Sequence, residues 1–308
     1  MKRRFAFSTV VIAALLLAVL GIRYKLQQAE EELLAESSIT LPSLERAEER
    51  SATSGAVFSL GVVSDTERSS GGISDTFRAI EEDMRSKGLT TALHLGDGAH
   101  RANKEDLAAW STFVTESSLT WFIVPGNHDL LQPHSASGRD YTTQPFLQTF
   151  GALSSVERPH EDLVIIRLNN ADNTIGFPEQ DRILLEDTLD EVAAEPSPPT
   201  VLIAMHRPVQ VPLADAYGLS DGTAGAADES YDQFVRVLEG APRNLTIQIV
   251  AGHVHSTFGY ELAGYPVLVT GGGGSASNTT GLLPSFPHWY LLALQEDGSF
   301  ETLLQRIE

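Results

Sequence analysis

Five short polar segments of the chain carry residue types that bind metal ions, and each follows a short apolar run. They supply carboxylate oxygens, an amide oxygen and imidazole nitrogens, which suit divalent transition metals. In chain order the segments are Ser64-Asp65-Thr66-Glu67, Gly96-Asp97-Gly98-Ala99-His100, Gly126-Asn127-His128-Asp129, Met205-His206-Arg207-Pro208 and Gly252-His253-Val254-His255. A set of this kind is what a two-metal hydrolytic centre requires.

The sequence around these segments alternates between runs that predict strands and stretches that predict helices. Strands are expected at residues 57–63, 92–95, 121–124, 163–168, 201–205, 245–251, 258–262, 266–270, 289–294 and 302–306. Helices are expected at residues 74–87, 104–116, 180–194 and 229–238. The first half therefore predicts βαβ units with a parallel sheet. The strand-rich last third predicts a mixed or antiparallel sheet that completes the fold.

The predicted strands determine where the polar segments must lie. In open α/β sheets, ligands bind beyond the carboxyl ends of the strands. Asp65, Asp97, Asn127, His206 and His253 each come just after a predicted strand. We therefore expect them to meet at one edge. The four glycines at 271–274, between two predicted strands, are expected in a loop that approaches the same place closely.

Composition limits the class of function. The chain has 308 residues, of which 42% are hydrophobic and 20% charged, so it can bury a sizeable core. Its net charge of −20 disfavours nucleic-acid binding through a basic patch, whereas metal ions could still attract a small anionic substrate. The absence of cysteine excludes disulfides, a thiol nucleophile and thiolate metal ligands.

The N-terminus predicts a membrane anchor. Lys2, Arg3 and Arg4 precede a largely apolar, uncharged stretch at residues 5–22, near the lower length limit for a spanning helix. We expect residues 1–25 to be a signal anchor with a cytoplasmic N-terminus, although Arg23 and Lys25 weaken the charge asymmetry. Residues 26–55 then form an acidic stalk, and residues 56–308 an extracytoplasmic domain. A cleaved signal peptide, which would give a secreted protein, is the alternative.

Over residues 57–306 the chain resembles the calcineurin-like metallophosphoesterase superfamily, through Gly96-Asp97, Gly126-Asn127-His128-Asp129, His206 and Gly252-His253-Val254-His255. The resemblance implies an α/β fold of two mixed β-sheets packed as a sandwich and flanked by helices, a four-layer α/β/β/α arrangement. It also implies two metal ions bridged by Asp97. Asn127, His206 and His253 would complete one metal site, and Asp65 and His255 would serve the other.

The resemblance also implies hydrolysis of phosphate mono- or diesters by a metal-activated hydroxide, with two divalent or trivalent ions, for which we expect Mn, Fe or Zn. His128 is placed to be the general acid on the leaving-group oxygen, with Asp129 orienting it. Arg207 could contact a phosphate oxygen, or could be a structural or surface arginine.

The first segment departs from the family pattern, which has histidine where this chain has Glu67. Glu67 could itself bind the metal. His100 could do so instead, because it stands three residues after Asp97, where the purple acid phosphatase branch has a metal-binding tyrosine. Otherwise the first site is weak or lost, and the protein is a poorly active or inactive membrane-anchored binding protein.

Overall fold

The computed structural model describes residues 23–25, 39–41, 55–68, 71–132, 140–212, 214, 226–276 and 283–307. Residues 41–308 form one compact unit, which contains all five polar segments. Among the described residues, no helix has the length and apolar character needed to cross a bilayer. The expected anchor at residues 1–25 and the stalk at 26–55 fall almost entirely outside those residues, so both stay predictions.

Two mixed sheets make up this unit, as the sequence predicted. The first has the order β11-β10-β1-β2-β3 and the second the order β4-β5-β6-β7-β9-β8. In chain order the strands are β1 (Ala56–Val63), β2 (Thr91–His94), β3 (Thr120–Ile123), β4 (Ser155–His160), β5 (Leu163–Arg167), β6 (Thr200–Met205), β7 (Ile247–Ala251), β8 (Thr257–Leu262), β9 (Tyr265–Thr270), β10 (His288–Gln295) and β11 (Phe300–Arg306).

Helices connect the parallel strands of both sheets. The described helices are α1 (Asp75–Ser86), α2 (Lys104–Glu116), α3 (Asn127–Leu130), α4 (Gln144–Phe150), α5 (Glu179–Ala193) and α6 (Ala226–Gly240). Strands β1, β2 and β3 are parallel neighbours joined through α1 and α2, and β5, β6 and β7 are parallel neighbours joined through α5 and α6. Strand β10 pairs antiparallel with β1, and β8 with β9. The carboxyl ends of β1–β3 therefore lie together, as do those of β5–β7.

Side-chain hydrogen bonds fix the first residues of α1 and α2, the helices that connect β1, β2 and β3. The Ser74 hydroxyl accepts a hydrogen bond from the Phe77 amide at 3.1 Å and caps α1. Asn103 caps α2 in the same way, with its side-chain oxygen 2.8 Å from the Asp106 amide. Each cap satisfies one backbone donor that the first turn of a helix leaves without a partner.

The two sheets share one apolar cluster. Alternate side chains of a strand point to opposite faces. Leu60 and Val62 of β1 therefore join Leu202 of β6 and Leu292 of β10 in this cluster. Gly61, between the first two, faces α1, where a Cβ atom would lie 2.7 Å from the Met84 sulfur. The glycine thus lets α1 pack closely on the outer face of the first sheet.

The sequence patterns missed three elements. Strand β4 reads Ser-Val-Glu-Arg-Pro-His, with one aliphatic side chain and a proline that restricts it to the edge of the sheet. Helices α3 and α4 have four and seven residues, too few to show a helical hydrophobic period. All ten predicted strands and all four predicted helices are present, with ends that differ by a few residues.

We expect Leu292→Ala to lower the free energy of unfolding by about 2–5 kcal/mol, because it leaves a cavity between the sheets. Ile183→Ala is the matched control, since Ile183 is 43% exposed on α5, and should change stability by about 0.5 kcal/mol or less. Urea unfolding measures both. Equal effects of the two substitutions would contradict a shared core between the sheets.

Candidate metal centre

The polar segments meet where the two sheets end, as the sequence predicted. Asp65 follows β1, Asp97 follows β2 and Asn127 begins α3 just after β3, all in the first sheet. His206 follows β6 and His253 follows β7 in the second sheet. Ligand atoms of Asp97, His206 and His253 lie within 4.8 Å of one another, so side chains of both sheets contribute to one site.

Three of these side chains are carried on backbone in the left-handed region. The φ angles are 60° at Asp65, 56° at Asp97 and 68° at His253. Residues other than glycine rarely adopt such angles, at a cost of about 1–3 kcal/mol each, and the strain concentrates at functional sites. The hydrogen bonds from the Asp65 amide to the Gly96 carbonyl and from the Thr66 and Glu67 amides to the Asp97 carbonyl hold two of these turns together.

His206 is oriented as a metal ligand. Its Nδ1 lies 2.7 Å from the Leu95 carbonyl oxygen, to which it donates, so Nε2 faces the site. That Nε2 lies 3.0 Å from Asn127 Oδ1 and 3.4 Å from Asp97 Oδ2. Burial opposes charging of the ring, but the adjacent Asp97 carboxylate outweighs it and raises the pKa of His206. Three acceptor atoms therefore converge, and a cation satisfies them together.

His253 completes this group, which we call the second site. Its Nδ1 lies 3.2 Å from His206 Nε2, and Arg207 donates from Nη1 to its Nε2 at 3.0 Å. Burial and the Arg207 charge hold the pKa of His253 well below its usual range. The ring is therefore neutral, and because Nε2 accepts from Arg207 its proton lies on Nδ1, from which a metal ion would displace it. The second site thus consists of Asp97, Asn127, His206 and His253.

Asp65 and His255 form the nucleus of another group, the first site. Asp65 Oδ2 accepts a hydrogen bond from the His253 amide at 2.9 Å. Asp65 Oδ1 is fully buried and accepts no hydrogen bond from the described residues, and His255 Nε2 lies 3.4 Å from it. His255 donates from Nδ1 to the Ala276 carbonyl. This buried carboxylate oxygen thus faces the His255 ring, and a proton or a metal ion between them would satisfy both groups.

Glu67 faces the same space. Its Oε2 accepts a hydrogen bond from the Ser275 hydroxyl at 2.5 Å. Ligand atoms of Glu67, Asp97 and His128 lie within 4.8 Å of one another. Burial, together with the charges of Asp97 and Asp65, raises the pKa of Glu67 to about 8. Two acidic groups and one imidazole, from three different segments, thus come close together on this side of Asp97.

The structure places His128 and His100 side by side. The His128 ring donates from Nδ1 to the His100 carbonyl at 3.1 Å, and its backbone amide donates to Asp97 Oδ1 at 2.8 Å. The two rings pack with centroids 5.4 Å apart. Among the described residues, no cluster of metal-ligand atoms includes the His100 ring. His100 thus contacts His128 through both its carbonyl and its ring.

Asp129 fixes backbone geometry. Its two oxygens accept hydrogen bonds from the amides of Asp97 at 2.9 Å, Ala99 at 2.7 Å and Gly126 at 2.7 Å. Burial raises the pKa of Asp129 to about 8, although the amide donors favour its charged form. These bonds go to the second and third segments and not to the His128 ring. The expected orientation of His128 is thus provided by the carbonyl of His100.

Arg207 is 4% exposed and lies inside the site, not on the surface. Its Nε donates to the Ala171 carbonyl at 3.1 Å, in addition to the contact with His253. Asn170 holds this region together, because its Oδ1 accepts from the His206 and Arg207 amides and its Nδ2 donates to the Arg207 carbonyl. The sequence analysis missed Asn170, although it follows β5 closely and so obeys the same strand-end rule.

Comparison with known proteins agrees with this geometry. The family model of the calcineurin-like phosphoesterases matches residues 58–257, which include all five segments. No curated protein sequence matches the chain. The fold is similar to the crystal structure of a dimetal phosphatase from Danio rerio, with a TM-score of 0.54 and 14% identity over 82% of this chain and 100% of that one. It is also similar to GAP50, the anchor in the inner membrane complex of Plasmodium, with a TM-score of 0.52 and 11% identity over 82% of this chain and 89% of that one.

We expect metal binding to release protons at pH 7. Although burial opposes it, the Asp65 carboxylate raises the pKa of His255 to about 9, and Glu67 titrates near 8. Both are therefore protonated at pH 7 in the metal-free protein and must lose that proton to bind a metal. Mn²⁺ affinity should rise from pH 6 to pH 9. Calorimetric titration in buffers of different ionisation enthalpy counts the protons, and affinity independent of pH would contradict this assignment.

We expect Asp129→Asn to destabilise the metal-free fold by about 1–3 kcal/mol, because the new amide group turns a donor toward a backbone N–H that has lost its acceptor. Asp187→Asn, at an exposed position of α5, is the matched control. Urea unfolding of both variants in the presence of a chelator gives the comparison. If Asp129→Asn unfolds at the same urea concentration as the control, Asp129 does not hold the loops.

Proposed function

The chain belongs to the calcineurin-like phosphoesterase family, and we propose that it is a two-metal hydrolase of phosphate esters. The observation that carries the proposal is that ligand atoms of Asp97, His206 and His253 converge at the ends of both sheets, while Asp97 also groups with Glu67 and His128. The right-handed crossovers through α5 and α6 would place both helices on the outer face of the second sheet, which gives the four-layer α/β/β/α order.

The residues fit two metal ions. Asp97, Asn127, His206 and His253 would hold one ion, because their acceptor atoms already converge. Asp65 and His255 would hold the other, with Asp97 shared between the two. Oxygen and nitrogen donors without sulfur suit Mn, Fe or Zn. Bound ions of this kind lower the pKa of a water molecule and polarise a phosphate ester.

Hydrogen bonds to the protein prepare each ligand for this role. The Leu95 carbonyl selects the His206 tautomer that presents Nε2, and the Ala276 carbonyl does the same for His255. Such partners fix ring orientation and increase the basicity of the ligand. The neutral rings and the Asn127 amide add no negative charge to the second site, which favours binding of an anionic phosphate there.

His128 is the residue that we assign as general acid. Because its Nδ1 donates to the His100 carbonyl, its Nε2 is the atom that can deliver a proton to the leaving-group oxygen. The backbone bond from its amide to Asp97 Oδ1 holds it at the edge of the metal site. A positioned acid of this kind contributes about 10²–10⁴-fold to the rate.

Arg207 is assigned to the phosphate. Its guanidinium is buried beside His253, where it provides positive charge next to the second site. Arginine donors bind phosphate oxygens through directed, charge-assisted hydrogen bonds. The contacts with the Ala171 carbonyl and with Asn170 fix its backbone and the base of its side chain, so the charge stays in place.

The alternative of a binding protein without catalysis requires that the first site be lost. The buried Asp65 Oδ1 opposite His255 Nε2 argues against that loss, because an unused site would not need to keep an unsatisfied carboxylate buried. A metal count separates the two functions. About two ions per chain support the hydrolase, and one or none supports the binding protein.

We expect the chain loaded with Mn²⁺ to hydrolyse p-nitrophenyl phosphate or its bis-ester. His128→Asn should lower kcat by about 10²–10⁴-fold while the metal count stays the same. Asp97→Asn should reduce both the metal count and the activity, because this carboxylate serves both sites. Release of p-nitrophenol and elemental analysis of the same samples measure the two quantities.

His160→Gln is the control for the histidine substitution, since His160 lies in β4 away from the site and should keep full activity. The proposal fails if the chain, tested with Mn²⁺, Fe²⁺, Zn²⁺ and Co²⁺ in turn, hydrolyses neither substrate.

A further inference from the structure

We propose that Glu67 is a ligand of the first metal site, that Ser275 positions it, and that this carboxylate makes the first site more favourable to Mn²⁺, relative to Zn²⁺, than the second site is. The inference rests on the proposed function, because it assigns the remaining ligand of the same two-metal centre. The first site then consists of Asp65, Glu67 and His255, with Asp97 shared.

The backbone puts Glu67 at the right place. It stands two residues after Asp65, where the chain leaves β1, and the amides of Thr66 and Glu67 both donate to the Asp97 carbonyl at 2.9 Å. This anchoring ties the first segment to the second segment. A carboxylate oxygen of Glu67 consequently lies within 4.8 Å of a carboxylate oxygen of Asp97.

A second observation, independent of the acidic cluster, points to a ligand. Asp65 is fully buried, and its Oδ1 accepts no hydrogen bond from any described residue. His255 Nε2 stands 3.4 Å away, and in the metal-free protein its proton faces this oxygen. A metal ion bound between these atoms would take the place of that proton.

One short segment, residues 271–276, orients both of the remaining ligands of this site. The Ser275 hydroxyl lies 2.5 Å from Glu67 Oε2 and 2.9 Å from the Asp65 carbonyl oxygen. The carbonyl of the next residue, Ala276, accepts from His255 Nδ1. A hydroxyl that donates to a ligating carboxylate, and a carbonyl that accepts from a ligating histidine, are the usual supports of metal ligands.

Glycine makes the close approach of this segment possible. A Cβ atom at Gly273 would lie 2.3 Å from the Ser64 carbonyl oxygen, and one at Gly271 would lie 2.1 Å from the Val254 carbonyl oxygen. The segment therefore packs directly against the backbone of the first and fifth polar segments. The glycine loop expected near the site is placed there, and its contacts bring Ser275 to Glu67.

His100 does not compete for this position. Its carbonyl accepts from the His128 ring, and its own ring packs against that ring. Among the described residues, the ligand atoms near Asp97 on this side belong to Glu67 and His128. Glu67 is therefore the residue that replaces the missing histidine of the first segment.

The donor set determines the metal preference. With Glu67 included, the first site has three carboxylates and one imidazole, whereas the second has two imidazoles, one amide and the shared carboxylate. Carboxylate oxygens suit Mn²⁺ and Mg²⁺, and imidazole suits Zn²⁺ and Fe²⁺. The first site accordingly has the larger share of hard oxygen ligands. We expect the native protein to hold a different metal ion in each of the two sites.

The test is a metal titration of the 308-residue chain and five variants. We expect two Mn²⁺ ions per chain in the unchanged protein, and about one in Glu67→Gln, in which first-site affinity falls by at least about 100-fold. Ser275→Ala should weaken that site by about 10–100-fold, as is typical when a supporting partner is removed. Calorimetry gives the affinities, and the electron paramagnetic resonance signal of a coupled Mn²⁺ pair should disappear in Glu67→Gln.

Two further variants make the result specific. Glu67→His should restore two ions per chain and shift first-site selectivity toward Zn²⁺, which excludes misfolding as the cause of loss in Glu67→Gln. Glu296→Gln carries the same charge change at an exposed turn and should bind as the unchanged protein does. Two ions bound with unchanged affinity by Glu67→Gln would overturn the inference, and so would loss of the second ion in His100→Gln.

Failure of the inference and failure of the proposed function give different results. If the unchanged chain binds two ions and hydrolyses phosphate esters while Glu67→Gln still binds two, only the assignment of Glu67 is wrong. If the unchanged chain binds fewer than two ions and has no activity, the proposed function fails as well.

Discussion

The structure depends on one electrostatic constraint, which is that acceptor atoms face one another inside the protein. His206 Nε2 lies 3.0 Å from Asn127 Oδ1 and 3.4 Å from Asp97 Oδ2, and the buried Asp65 Oδ1 lies 3.4 Å from His255 Nε2. Lone pairs at these distances repel unless a proton or a metal ion lies between them. The fold must therefore supply enough rigidity to hold the atoms in place before any ion binds.

That rigidity comes from several sources that act on backbone more than on side chains. The shared core between the sheets fixes the strand ends, and hydrogen bonds from each ligand segment to the next fix the turns beyond them. Asp129 contributes three amide bonds and Asn170 contributes three more around His206 and Arg207. These bonds stabilise the left-handed turns at Asp65, Asp97 and His253.

The sequence predicted the residues that converge in the candidate metal centre better than the residues that support them. Asp97, His206 and His253 follow apolar strands, and strand ends can be located from a pattern, so their meeting was predictable. The contacts of Ser275 and Asp129 depend on the path of loops far apart in the chain, which no local pattern encodes. For the same reason, the sequence did not decide whether Arg207 is buried in the site or lies on the surface. Strand β4 and the short helices α3 and α4 lack the hydrophobic period on which prediction relies.

The charge of the first site has a consequence for the substrate, which follows from the proposed role of Glu67. A carboxylate where the family pattern has a neutral histidine lowers the net charge of the metal-loaded centre by one. A less positive centre attracts a dianionic phosphate monoester, and the inorganic phosphate product, less strongly, whereas a diester carries one negative charge and loses less attraction. In its proposed role, Glu67 would therefore favour diesters relative to monoesters and would speed product release. The buried guanidinium of Arg207 beside the second site would retain a positive charge for binding either substrate.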